Sequence, residues 1–221
     1  MTRKTIILTH IPKCGGTSLL EQLQASGLNL FLDYDHFPSE RAWFDNRRKQ
    51  RDRETSFLTF DRFDVVIGHF PIWRYASELY DHAVILREPV ERAISEYFFY
   101  KYVVNDGNAA VIAVIPLIPS IKNHEVSFVD FLRRMKIDRF YSRYADRMDT
   151  SKLRLVGFHD DYAGFCRRLS DVLGVDISPD VRARQNHQKE TIDADEMDEA
   201  RSILADEIAW YREQRAKWGA S

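Results

Sequence analysis

Thr5-Ile6-Ile7-Leu8-Thr9-His10-Ile11-Pro12-Lys13-Cys14-Gly15-Gly16-Thr17-Ser18-Leu19-Leu20 passes from a short β-branched run straight into a glycine pair, and from there into leucines. Residues 5–9 read as a buried strand. Leu19, Leu20, Leu23 and Leu28 mark a helix that Gly27 ends. A strand, a glycine-bearing turn and a helix make the first half of a βαβ unit, and the rest of the chain repeats that alternation.

Further strands are expected at 28–32, at 64–68 ending on His69, at 83–86 ending on Arg87, and at 153–156. Pro89 stands where proline opens a helix, and Val90, Ile94, Tyr97, Phe98 and Tyr102 give that helix an apolar face. Phe128, Phe131, Leu132 and Met135 mark another helix. Residues 162–173 mark one more, with Gly174 as its cap, and Met197, Leu204, Ile208 and Tyr211 predict one long amphipathic helix near the C-terminus. Residues 105–126 read as an excursion and 37–61 as helix plus loop. Strands alternating with helices imply an α/β protein, a three-layer α/β/α domain around a central parallel sheet, taken as one domain over residues 1–221. In such sheets ligands bind beyond the carboxyl ends of the strands, so the loops after strands one, three and four are the ones to read for function.

Bulk properties narrow the function. With 221 residues the chain can bury a sizeable core. Its 32 Lys and Arg against 34 Asp and Glu leave a net charge of −2, which gives no support to a nucleic-acid or membrane-surface role. Cys14 and Cys166 have no metal-ligand spacing and make no disulfide framework. The N-terminal apolar stretch is too short for a signal-peptide core, and the run 109–115 is well below spanning length. A cytoplasmic protein is expected, with no membrane span. Its oligomeric state cannot be read from the chain.

Lys13, Cys14, Gly15, Gly16, Thr17 and Ser18 lie between the first strand and its helix. Glycines allow backbone amides to close on an anion, the helix N-terminus adds partial positive charge, and a lysine and two hydroxyls complete a cradle. The plain alternative is a tight turn with a Ser/Thr cap; the lysine and hydroxyls favour the anion site. It is not a Walker A loop, because the lysine precedes the glycines. Arg87 ends a strand, and Ser95 follows two turns into the next helix; an arginine fork and a hydroxyl can share one phosphate. Alone, the same segment reads first as Arg87 paired with Glu88 or Glu91, with Ser95 merely exposed.

The segment 12–18 resembles the 5'-phosphosulfate loop of the sulfotransferases that use 3'-phosphoadenosine-5'-phosphosulfate (PAPS), and is closer in form to the carbohydrate enzymes than to the small-molecule ones. Arg87, Pro89 and Ser95 are similar to that family's 3'-phosphate stretch, with Glu88 where Asp or Asn is usual. Gly68-His69 resembles the Gly-His of uronyl 2-O-sulfotransferases, in which the histidine is the proposed base; Ile67 stands where that relative has a second histidine. The resemblance implies a P-loop-NTPase-like sulfotransferase fold and transfer of a sulfuryl group from PAPS to a hydroxyl acceptor, a glycan in the fullest reading, leaving 3'-phosphoadenosine 5'-phosphate (PAP). It further implies His69 and Lys13 as catalytic residues and no metal. Arg184 and Lys189 lie where the family closes a basic loop over the nucleotide; a solvated basic loop is an equal reading.

Asp33, Asp35 and His36 are reserve candidates for the base. Trp73 and Tyr75 suit either a sugar platform or the core, and the basic run 47–53 reads first as a solvated helix face. A nucleotide kinase and a non-catalytic nucleotide-binding module are the alternatives. The second anion site argues against the kinase, since ATP carries no 3'-phosphate.

Overall fold

The computed structural model describes residues 4–34, 60, 62–75, 79–104, 111–112, 115–145, 150, 153–179 and 190–219. Five strands, β1 (Ile6–Thr9), β2 (Leu30–Asp33), β3 (Val65–Gly68), β4 (Asp81–Leu86) and β5 (Leu155–Phe158), form one sheet in the order β2-β3-β1-β4-β5. Every pairing is parallel, and helices cover both faces. The alternation along β1 shows why: Ile6 and Leu8 enter one apolar core, while Ile7 points the other way into an aromatic cluster with Phe60, Phe70, Tyr75 and Tyr80. A strand apolar on both sides needs cover on both sides.

Helix α1 (Gly16–Ala25) follows β1, and α2 (Pro89–Phe98) follows β4. Pro89 takes the first turn of α2, and the Glu88 carboxylate accepts from the Glu91 amide at 2.9 Å, so Glu88 caps the helix as the shorter Asp or Asn would. A π-helical turn, Phe99–Val103, carries Tyr102 beyond the end of α2. Then come α3 (Ile118–Lys122), α4 (Phe128–Met135), α5 (Phe140–Ala145) and, after β5, α6 (Tyr162–Leu173), closed by Gly174 at φ 65°.

The C-terminal segment departs from expectation. Instead of one long helix there are two, α7 (Ala194–Ile203) and α8 (Ala205–Trp218), meeting at Leu204. Leu204 leaves helical geometry at ψ 13° with its side chain buried. Just past the bend the Glu207 carboxylate turns inward to accept the amides of Tyr141 and Ser142 at 2.6 and 3.2 Å, capping α5. The expected strand starts also moved: β4 begins two residues earlier than read, and β2 and β5 two residues later.

β1 lies between β3 and β4. From β1 the chain leaves toward the β2 edge, and from β4 toward the β5 edge, so the β1–β4 boundary is where connections diverge at the carboxyl end of the sheet.

Candidate functional site

Three neighbouring strand ends, β3, β1 and β4, deliver His69, the loop 10–18 and Arg87 to one place. The loop is bent to do so. Lys13 has φ 66°, a left-handed conformation rare for a residue with a side chain, and Gly15 has φ 91°. The Cys14 amide is spent inside the turn, donating to the Ile11 carbonyl at 3.3 Å, and its thiol is buried. Burial raises the Cys14 pKa, so the thiol keeps its proton. The N-cap residue of α1 is Gly15, which has no side chain to cap it, and the helix start at Gly16 lies beside the lysine. The Lys13 ammonium lies 4.0 Å over the Phe99 ring, and Thr17 and Ser18 are half-buried.

Arg87 reaches this loop directly. Its Nη1 donates to the Lys13 carbonyl at 3.4 Å, although 74 residues separate the two in sequence. Its Nε also stands 3.6 Å from the exposed Glu91 carboxylate, the pairing that the segment alone allowed. Ser95 lies half-buried on α2.

On the other side of β1 is an imidazole pair that the sequence had shown only by half. His10 continues the β1–β3 ladder by one rung, its amide donating to the Gly68 carbonyl at 2.8 Å, which sets it beside His69 with ring centroids 4.4 Å apart. His69 Nδ1 donates to the His10 carbonyl at 2.7 Å. A carbonyl can only accept, so the proton sits on Nδ1 and the lone pair on Nε2. Nε2 has no hydrogen-bond partner among the described residues. Desolvation lowers the His69 pKa, keeping that lone pair available near neutrality.

His10 is buried, its Nδ1 2.6 Å from the Tyr34 hydroxyl. Desolvation, with His69 and Lys13 nearby, holds it well below the usual imidazole range. Burial raises the Tyr34 pKa, so its hydroxyl keeps its proton. Gly16 exists to make room for this ring: a methyl placed there would lie 1.9 Å from His10 Cδ2. A third imidazole, His159 just past β5, lies against Gly15, whose added methyl would stand 3.3 Å from its Cδ2.

The remaining candidates separate. Asp33 Oδ2 accepts from Tyr75 Oη at 2.6 Å and pairs with Arg74 Nε at 2.9 Å, which ties this carboxylate oxygen to the buried core. Tyr75 is buried against Phe60 and Phe70 and belongs to the core. Asp35, His36, the run 47–53, Arg184 and Lys189 lie outside the described residues. Among the described residues no group of three His, Cys, Asp or Glu side chains could hold a metal ion, and no helix is long and apolar enough to cross a membrane.

No protein-family model matches the chain, and no curated protein does. Among solved structures it is similar to a sulfotransferase from Alicyclobacillus acidocaldarius, at 16% identity with a TM-score of 0.46, over 95% of this chain and 94% of that one. An uncharacterized protein from Eubacterium ventriosum aligns at 12% identity with a TM-score of 0.33, over 77% of this chain and 99% of that one.

Proposed function

We propose that the chain is a sulfotransferase that moves a sulfuryl group from PAPS to an acceptor hydroxyl, a carbohydrate in the fullest reading, releasing PAP. The observation that carries it is the meeting of Lys13, Arg87 and His69 on three adjacent strand ends, with Arg87 in hydrogen-bond reach of the Lys13 carbonyl. Two cationic groups on adjoining loops suit one ligand with an anionic group at each end of a nucleoside. The fit is to the donor set: a strained glycine-bearing loop, a helix start and two cations.

In this reading the loop amides, Lys13, Thr17 and Ser18 hold the phosphosulfate end, and Arg87 with Ser95 holds the 3'-phosphate. Arg184 and Lys189 are assigned to the nucleotide by resemblance alone. Cys14 contributes to the loop's shape rather than an amide, since its N–H is already bonded. His69 Nε2 accepts the proton of the acceptor hydroxyl as oxygen attacks sulfur. Lys13 stabilises charge growing on the departing phosphate oxygen.

Calorimetric titration with PAP and ATP side by side, followed by PAPS turnover across an acceptor panel, tests the reading. PAP is expected to bind and ATP to bind far more weakly. Lys13→Ala and His69→Ala are each expected to cut turnover by roughly 100-fold or more. Preference for ATP would establish the kinase alternative, and PAP binding without turnover the non-catalytic one.

A further inference from the structure

Tyr141, on α5, is 1% exposed and uses its hydroxyl three ways. It accepts from the Arg87 amide at 3.0 Å, donates to the Arg87 carbonyl, and lies 3.5 Å from Cys14 Sγ. One proton and two lone pairs satisfy all three: the proton goes to the carbonyl, and the lone pairs face the Arg87 N–H and the Cys14 thiol. β4 ends at Leu86, so Arg87 stands one residue past the ladder, where no neighbouring strand supplies its backbone partners. The tyrosine hydroxyl takes that place. It also touches the residue next to Lys13, and so joins the β1 loop to the β4 loop through a single atom.

The ring is itself held. Glu207 accepts from the Tyr141 amide at 2.6 Å, and Trp210 stacks on the ring at 5.5 Å and 26°. Next to it, Phe140 lies against the Arg92 guanidinium at 3.4 Å. The pin is thus anchored to α8 and α2, outside both loops.

We infer that Tyr141 is a positioning residue that sets the distance between the Lys13 loop and Arg87, and through it the grip on the 3'-phosphate. The inference rests on the PAPS reading above. Its test compares PAP with adenosine 5'-monophosphate, which lacks the 3'-phosphate, by calorimetry on the full chain. The ratio of the two dissociation constants reports the grip at Arg87. Tyr141→Phe keeps the ring and is expected to cut that ratio roughly tenfold, the scale of one charge-assisted hydrogen bond, while the monophosphate affinity changes less. A merely structural role would lower the melting temperature and leave the ratio alone. Where Tyr141→Phe does not fold, Glu207→Gln, which loosens the anchor, is measured instead and is expected to shift the ratio in the same direction. A wild type that binds both nucleotides equally sinks the PAPS reading and the inference with it. A wild type that favours PAP, with the ratio unmoved in the variant, overturns the inference alone.

Discussion

Gly16→Ala is the substitution on which intuition and structure disagree in sign. Alanine is the better helix former by about 1 kcal/mol in a helix interior, less at a first position, so propensity alone predicts a small gain. The structure predicts a loss. The added methyl would stand 1.9 Å from His10 Cδ2 and 2.2 Å from Nε2, and carbon atoms need about 3.5 Å. The ring has little room to retreat, with Tyr34 bonded at 2.6 Å and the His69 ring tilted against it with centroids 4.4 Å apart. Overpacking costs about 1–3 kcal/mol and loss of the Tyr34 hydrogen bond about 1 kcal/mol. The net expectation is about 2–3 kcal/mol, or roughly 4–12 °C for a chain of this size. Thermal unfolding of wild type, Gly16→Ala, His10→Ala and the double variant closes a cycle. Once the imidazole is gone, alanine at 16 is expected to be neutral or stabilising. Equal destabilisation in both backgrounds, or none in either, would refute the packing argument.

Three further expectations concern charge. His10 and His69 titrate lower in the folded chain than the ordinary imidazole value of 6.5, so below that value the unfolded chain binds more protons. Stability is therefore expected to fall as pH drops below about 6.5 and to be level above it, read from urea midpoints; turnover is expected to plateau over the same upper range. Asp33→Asn removes the carboxylate from Arg74 and Tyr75 and is expected to cost about 2–3 kcal/mol of stability with turnover changed only a few-fold; a 100-fold loss of turnover in a folded variant would move the base role from His69 to Asp33. Arg92 and Glu96 form an ion pair at 2.7 Å with side chains 1% and 2% exposed. Arg92→Met is expected to cost about 3–5 kcal/mol and the double change to Met and Leu much less, measured in urea.

Much of the fold was legible because the strands are short, mostly apolar runs bounded by turn residues. The helix starting at Pro89 was legible from its proline, and that ending at Leu173 from the glycine that follows it. The break at Leu204 was not, because the apolar spacing runs through it and the cause, Glu207 turning toward α5, is a tertiary contact. Within the site, Lys13, Arg87 and His69 announced themselves by motif. His10 did not: only the register that pairs Thr9 with Gly68 brings it beside His69, and register depends on strand order. Tyr141 carried no local signal at all, since its two partners lie 54 and 127 residues away.

Where a histidine is oriented by an aspartate, one substitution can free it to rotate or to swap tautomers. Here the orienting oxygen belongs to the main chain of His10. No exchange of side chains deletes it, so the lone pair on Nε2 is inherited from how β1 and β3 are aligned. A neutral carbonyl behind the ring raises its basicity less than burial lowers it, so the imidazole stays unprotonated near neutrality. Sliding one strand against the other by a residue is what it would take to disarm it.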